Sequence, residues 1–190
     1  MLVSHSVAFF EETCQIAAKL DTEKVEHLVR ELSALRERKG RLWLVGLGGS
    51  AANASHAAND FRKLCAIEAY CLTDNVAEFT ARANDEGWAE AFDLDYAREG
   101  DALFVLSVGG GTQSVSRPIN TALKNAGRLG VRILGIVGRD GGNTKALGDC
   151  VVVVPTVEPN RITPHTEGWQ GVILHALVSH PSLQRWRTTW

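Results

Sequence analysis

No stretch of this chain approaches the roughly 20 consecutive apolar residues that a bilayer-spanning helix needs, so no membrane partner is expected. Cysteine is scarce. The four thiols, Cys14, Cys65, Cys71 and Cys150, include no CxxC pair and mostly sit among apolar neighbours. That excludes a thiolate zinc motif and a disulfide framework, and it suits free thiols in a reducing compartment. An excess of one charge is missing too: 20 Lys and Arg face 22 Asp and Glu, a formal net charge of −2, which gives no support to a nucleic-acid partner. The start, Met1-Leu2-Val3-Ser4-His5, has no basic segment leading into a long apolar one, so a secretory leader is not expected and the cytoplasm is. Internal repeats, low-complexity stretches and linkers are also absent. The 190 residues, 45% apolar and 22% charged, read as one soluble domain with room for a substantial core.

What the chain does have is alternation. Apolar runs at Leu42 to Val45, Ile67 to Leu72, Ala102 to Ser107, Val131 to Val137 and Cys150 to Val154 read as strands. Most are nearly continuous, as expected for parallel strands covered on both faces. Helical stretches lie between them at Asn75 to Arg82, Trp88 to Ala97, Gln113 to Leu129 and Asn143 to Leu147, with a last one from Pro164 to Ser179. Strand–helix alternation implies right-handed crossovers and a doubly wound α/β fold with a five-stranded parallel sheet. A helical extension over residues 1–39 precedes the first strand, with Val25, Leu28, Val29, Leu32 and Leu35 at helical spacing after an Asp21-Thr22 cap. Its apolar stripe must be buried on the domain's own sheet or on another subunit. A basic, Trp-rich tail occupies residues 183–190.

Ligands of open parallel sheets bind beyond the carboxyl ends of the strands. Three glycine-rich turns fall there: Gly46-Leu47-Gly48-Gly49-Ser50, Ser107-Val108-Gly109-Gly110-Gly111-Thr112, and Gly138-Arg139-Asp140-Gly141-Gly142. A glycine turn running into a helix makes an anion cradle, and Ser50 is the expected cap of the helix after the first one. That turn is neither a dinucleotide fingerprint, because Ala51 stands where the third glycine belongs, nor a P-loop, because no glycine–lysine pair follows. A phosphate suits these turns better than a dinucleotide. In the helix that follows, His56 and Asp60 are four residues apart and share a face. Glu167 and His175 on the last helix offer a second pair, and imidazole with carboxylate suits zinc, iron or manganese. Eight residues of regular helix put about 12 Å between Glu167 and His175, so one ion takes both only if the helix is distorted or a second subunit supplies one. His165 is a further candidate for a phosphate or the metal. His5 and His27 read as surface or interface residues, and His180 as structural.

Taken together, these motifs resemble the SIS (sugar isomerase) domain family and, within it, the phosphoheptose isomerases, from about Phe9 to Val178. The family's GNGGSA turn corresponds to Gly46 to Ala51, its H-x-x-x-E helix to His56 to Asp60, and its N-D-x-G segment to Asn84-Asp85-Glu86-Gly87. Its S-T-S-G-N-S loop corresponds to Ser107 to Thr112, its G-x-D-G-G turn to Gly138 to Gly142, and its terminal T-x-x-I-Q-E-x-H-x-x-x-x-H helix to Thr163 to His175. The resemblance implies a homotetramer with active sites between subunits, the N-terminal helices serving oligomerisation. It implies an aldose–ketose isomerase that converts sedoheptulose 7-phosphate to D-glycero-D-manno-heptose 7-phosphate, at the head of heptose synthesis for lipopolysaccharide. One zinc or other divalent ion per site would be held by His56, Asp60, Glu167 and His175, with Asp60 as the base and His175 as its acid/base partner. Gly48, Gly49, Ser50, Asn53, Asn84, Asp85, Ser107, Gly109, Gly110, Thr112 and Glu167 would bind the substrate.

The chain departs from that pattern at the site itself. Asp60 stands for glutamate, Glu167 for glutamine, Leu47 for asparagine and Asn53 for aspartate, and two loop hydroxyls are lost at Val108 and Gly109. The second reading from the resemblance is therefore a non-catalytic SIS protein that binds a sugar phosphate or a protein partner, as the initiator-associating relatives do.

Overall fold

The computed structural model describes residues 4–92 and 94–187. Its strands are β1 (Leu42–Val45), β2 (Ala69–Cys71), β3 (Ala102–Ser107), β4 (Arg132–Val137) and β5 (Cys150–Val153). They form one sheet in the order β2-β1-β3-β4-β5 with every pairing parallel. Leu42 pairs with Ala69 on one side and Ala102 on the other, and Leu134 pairs with Phe104 and Cys150. The order reverses between β1 and β3, which places a ligand crevice at their carboxyl ends. All six residues of β3 are buried, as the central strand of a doubly covered sheet requires.

Seven helices accompany the strands among the described residues: α1 (His5–Lys19), α2 (Thr22–Glu37), α3 (Gly49–Cys65), α4 (Val76–Asp85), α5 (Arg117–Arg128), α6 (Gly142–Leu147) and α7 (Ile162–Val178). Strand alternation splits the core in two. Phe104, Leu106, Leu134 and Ile136 meet α2, α3 and α7, while Leu103, Val105 and Ile133 meet α5. The stripe of α2 (Leu28, Val29, Leu32, Leu35) is buried within this first core, so the domain's own structure covers it. Asp21 caps α2, accepting from the Lys24 N–H at 3.1 Å. On α1 only Glu12 and Ile16 are buried. Val7 and Phe10 are exposed, and so is Cys14, alone among the four free thiols.

Three expected elements differ. The helix expected over Trp88 to Ala97 is a single 3-10 turn, Trp88–Glu90, beginning after Gly87 at φ +99°. Beyond it the chain is held by bonds of irregular structure: Arg41 donates to the Tyr96 carbonyl at 2.6 Å and the Arg98 N–H to Asp101 at 3.1 Å. Residue 93, inside that expected helix, lies outside the described residues. The helix expected from Gln113 starts at Arg117, because Ser116 is left-handed and Thr112 Oγ1 accepts the Val115 N–H at 2.9 Å, closing a turn where a helix would have begun. The expected cap at Ser50 is not made either. With Gly48 at φ +61° as the helix boundary, Ser50 lies inside the first turn and caps nothing. The tail is docked as far as it is described. Leu183 is buried, Arg36 donates to the carbonyls of Leu183 at 2.7 Å and Ser182 at 2.9 Å, and the Arg185 N–H donates to the Leu64 carbonyl at 2.7 Å. Residues 188–190 of that tail and 1–3 of the N-terminal extension lie outside the described residues. No helix among the described residues is long and apolar enough to cross a membrane.

Candidate active site

Helices α3 and α7 pack side by side and run in the same direction, and polar side chains line their seam. Gly49, Asn53, His56 and Asp60 follow one another at steps of three and four, which sets them on one face of α3. Opposite Gly49 lies the Glu167 carboxylate, so close that a Cβ on Gly49 would land 2.5 Å from its Oε2. Asn53 Nδ2 donates to the Glu167 carbonyl at 2.9 Å and to Gln170 Oε1 at 3.1 Å. Gln170 is fully buried and also donates to the Ile136 carbonyl at 3.4 Å. The motif reading did not pick out Gln170, although it falls between Glu167 and His175 on the inward side of α7.

Farther along, His56 Nε2 stands 3.1 Å from His175 Nε2 and 3.2 Å from Asp60 Oδ2, and His175 Nε2 is 3.9 Å from the same oxygen. Asp60 is buried and the imidazoles are exposed; Asn59 Nδ2 donates to Asp60 Oδ1 at 3.0 Å, fixing the carboxylate. The three ligand atoms lie within 4.8 Å of one another. Tetrahedral zinc with bonds near 2.0 to 2.1 Å sets its ligands about 3.3 Å apart, so the two-nitrogen, one-oxygen set fits a divalent ion. Three protein ligands also leave a coordination position open to a substrate.

Glu167 is not part of that cluster. Helix α7 runs unbroken from Ile162 to Val178, so the distortion that would have let one ion take both Glu167 and His175 is not there. Instead the carboxylate sits at the N-terminal end of α3, where the helix dipole favours negative charge. His165 is also engaged elsewhere. It is buried, stacked on Phe9 with ring centroids 4.3 Å apart, and its Nε2 is 2.8 Å from Glu12 Oε2. Arg161 donates to both oxygens of the same carboxylate. The bonds from Arg161 first, then from His165, pull the Glu12 carboxyl down to about 2.

At the carboxyl ends of β1, β3 and β4 opens a cavity of about 850 Å³. Of the expected substrate residues, Ser50, Ser107, Gly109 and Thr112 line it. Ser50 Oγ is buried there with no hydrogen-bond partner, a donor and acceptor left for a ligand. Ser107 Oγ accepts the Gly110 N–H at 3.0 Å, and Thr112 Oγ1 is committed to the N–H groups of its own loop. Gly110 is structural: at φ +68° its carbonyl accepts from Thr144 N–H at 2.9 Å and Thr144 Oγ1 at 2.7 Å, and a Cβ would strike the Gly141 carbonyl. Asn84 and Asp85 stay away from the cavity, exposed at the end of α4 and bonded to each other at 2.7 Å. The cavity also takes in Ser114, Ser116, Arg139 and Thr163, which the motif reading passed over. For Arg139 the signal was present in its place within the third glycine turn.

The chain is similar to known proteins of one family. The SIS domain family profile matches residues 7–138. A phosphoheptose isomerase of Chlorobium phaeobacteroides is 34% identical over 164 residues, 81% of this chain and 71% of that protein. The solved phosphoheptose isomerase of Neisseria gonorrhoeae superposes with a TM-score of 0.77 at 26% identity, covering 91% of this chain and 94% of its own. That of Francisella tularensis shares the fold with a TM-score of 0.79 at 22% identity, over 93% of this chain and 97% of its own.

Proposed function

Because this chain belongs to the SIS domain family and, within it, to the phosphoheptose isomerases, we propose that it interconverts sedoheptulose 7-phosphate and D-glycero-D-manno-heptose 7-phosphate, or a close relative of that pair. The chain is an isomerase, and its class of substrate is a sugar phosphate. The observation that carries the finer reading is the spacing along α3. Ser50, in the cavity, precedes His56 by about 9 Å and Asp60 by about 15 Å of helix rise, so a ligand that meets both ends is elongated, with an anion at one end and reacting carbons at the other.

Aldose–ketose isomerisation moves a proton between adjacent carbons through an enediol, and it needs a base, an acid and stabilisation of charge on oxygen. Asp60, buried and oriented by Asn59, takes the carbon-bound proton. His175, 3.9 Å from it, exchanges a proton with the substrate oxygens. His56, Asp60 and His175 would hold a divalent ion, which when bound polarises the carbonyl. In the proposed homotetramer, a neighbouring subunit completes the site. The separation of Glu167 from the cluster supports that, as do α4, which buries none of its residues, and the exposed Val7 and Phe10 of α1. Asn84 and Asp85 would then reach a neighbour's site from the end of α4.

One feature favours the non-catalytic reading. Asp60 is one methylene shorter than the family glutamate, and a misplacement of about 1 Å can cost on the order of a hundredfold in rate. Incubation of purified protein with sedoheptulose 7-phosphate, with metal analysis of the same sample, decides between them. Turnover that is lost on chelation and restored by a divalent ion is the expected result. A protein with neither metal nor turnover would be the binding module instead.

A further inference from the structure

We propose that Arg139 is a specificity-determining residue, the cation that selects the anionic end of the substrate; this deepens, and rests on, the sugar-phosphate reading of the same cavity. The cavity is bordered by neutral hydroxyls: Ser107 Oγ accepts the Gly110 N–H and Thr112 Oγ1 the N–H groups of Ser114 and Val115, so what these side chains can offer an anion is an uncharged O–H. Where related loops carry further hydroxyls, Val108 and Gly109 offer none. Neutral donors of this number leave a doubly charged phosphate under-compensated once it leaves water. Arg139 is the only lysine or arginine among the lining residues.

Its guanidinium is unengaged. Among the described residues Arg139 makes no side-chain hydrogen bond or ion pair, whereas Arg36, Arg41, Arg132 and Arg161 are all tied to carbonyls or carboxylates. The adjacent Asp140, which also lines the cavity, makes no ion pair with it; its Oδ1 accepts the Gly142 N–H at 3.1 Å. The backbone of Arg139 is left-handed at φ +50°, a conformation that side-chain-bearing residues rarely adopt, and such outliers gather where a ligand is gripped. The turn that presents it is pinned to the cavity loop. The Gly138 N–H donates to the Ser107 carbonyl at 3.2 Å and that of Val108 at 3.1 Å, and the Asn143 N–H donates to the Gly111 carbonyl at 3.0 Å. The backbone of Arg139 is therefore fixed beside the hydroxyls while its exposed side chain is free to meet a ligand, and its planar fork suits the paired oxygens of a phosphate. Glu167, at the start of α3, carries the opposite sign, so of the side chains around the cavity Arg139 is the one that draws an anion.

The test titrates inorganic phosphate into wild type, Arg139→Ala and Arg139→Lys by calorimetry at low salt, and measures kcat and KM for sedoheptulose 7-phosphate on the same proteins. Arg139→Ala should weaken phosphate binding on the order of 10- to 100-fold and raise KM in parallel, with kcat within about threefold. Arg139→Lys should recover part of the loss, keeping the charge without the fork. Phosphate affinity equal in wild type and Arg139→Ala, or no phosphate binding by wild type, overturns the assignment. The two readings fail separately. Phosphate binding that depends on Arg139 without turnover would sink the isomerase reading alone, and turnover with an unchanged KM in Arg139→Ala would sink this one alone.

Discussion

The two ends of the site along the α3–α7 seam are built from different material. One is the His56–Asp60–His175 cluster beside the middle of α3, assembled from side chains, two of them exposed. The other, at the start of α3, is the cavity, shaped by backbone turns at Gly48, Gly110, Arg139, Gly141 and Gly142, all with positive φ. Chemistry at the first end depends on functional groups that the fold scarcely needs. Shape at the second depends on peptide conformations that the fold cannot give up. The two ends should therefore fail in different ways.

The sharpest break is a pair of substitutions. His175→Ala should abolish isomerase turnover, on the order of a thousandfold or more, while leaving stability within about 0.5 kcal/mol, since the side chain is exposed. Gly110→Ala should do the reverse to the fold. A left-handed alanine costs about 1 kcal/mol or more, and its Cβ strikes the Gly141 carbonyl. A total loss of roughly 3 kcal/mol would lower Tm by about 6 to 12 °C in a domain of this size. Thermal melts beside activity assays check both, and a His175→Ala protein that melts early would erase the contrast. A smaller effect sits where the ends meet. Glu167→Gln removes the carboxylate at the start of α3 and should tighten inorganic phosphate by up to about fivefold, the scale of one charge at a helix end. Calorimetry showing equal or weaker binding would mean that the cavity does not sense Glu167.

The smallest effect lies outside both ends, in the clip that joins α1 to the start of α7. The Glu12 carboxyl is lowered from 4.5 to about 2 in the folded chain, so its stabilising share is present above about pH 4.5 and lost as pH falls towards 2. Glu12→Gln should be less stable than wild type at pH 7, and the two should converge between pH 4.5 and 2. Urea midpoints across that range measure it; parallel curves would show that the charge of Glu12 contributes nothing.

The same contrast explains what could be read in advance. Parallel strands covered on both faces are written as apolar runs, and all five appear where such runs lie, although the run from Ile67 shortens to Ala69–Cys71. The nearness of His56 to Asp60 follows from a spacing of four. That of His175 does not, since the packing of α7 on α3 is a tertiary fact, and only the resemblance placed it there. Backbone-built features were harder. Helical spacing suggested a helix from Gln113, but the left-handed Ser116 delays it; the glycines of the third turn announced a bend there, though not the left-handed Arg139 within it. Residue type grouped Glu167 and His165 with the metal, and for Glu167 the resemblance did so as well. Position along α7 separates the first from the cluster, and partnership with Glu12 engages the second.

The uneven burial of the thiols has a practical consequence. Burial pushes Cys65 and Cys150 up to about 11 and raises Cys71 as well, so all three stay protonated and shielded at neutral pH. Cys14 stands exposed on the outer side of α1, near Phe10. Alkylating reagents are thereby directed to a single position, and the unmodified protein carries its own reporter. The rate of labelling at Cys14 reads out directly whether a second copy covers that face of α1.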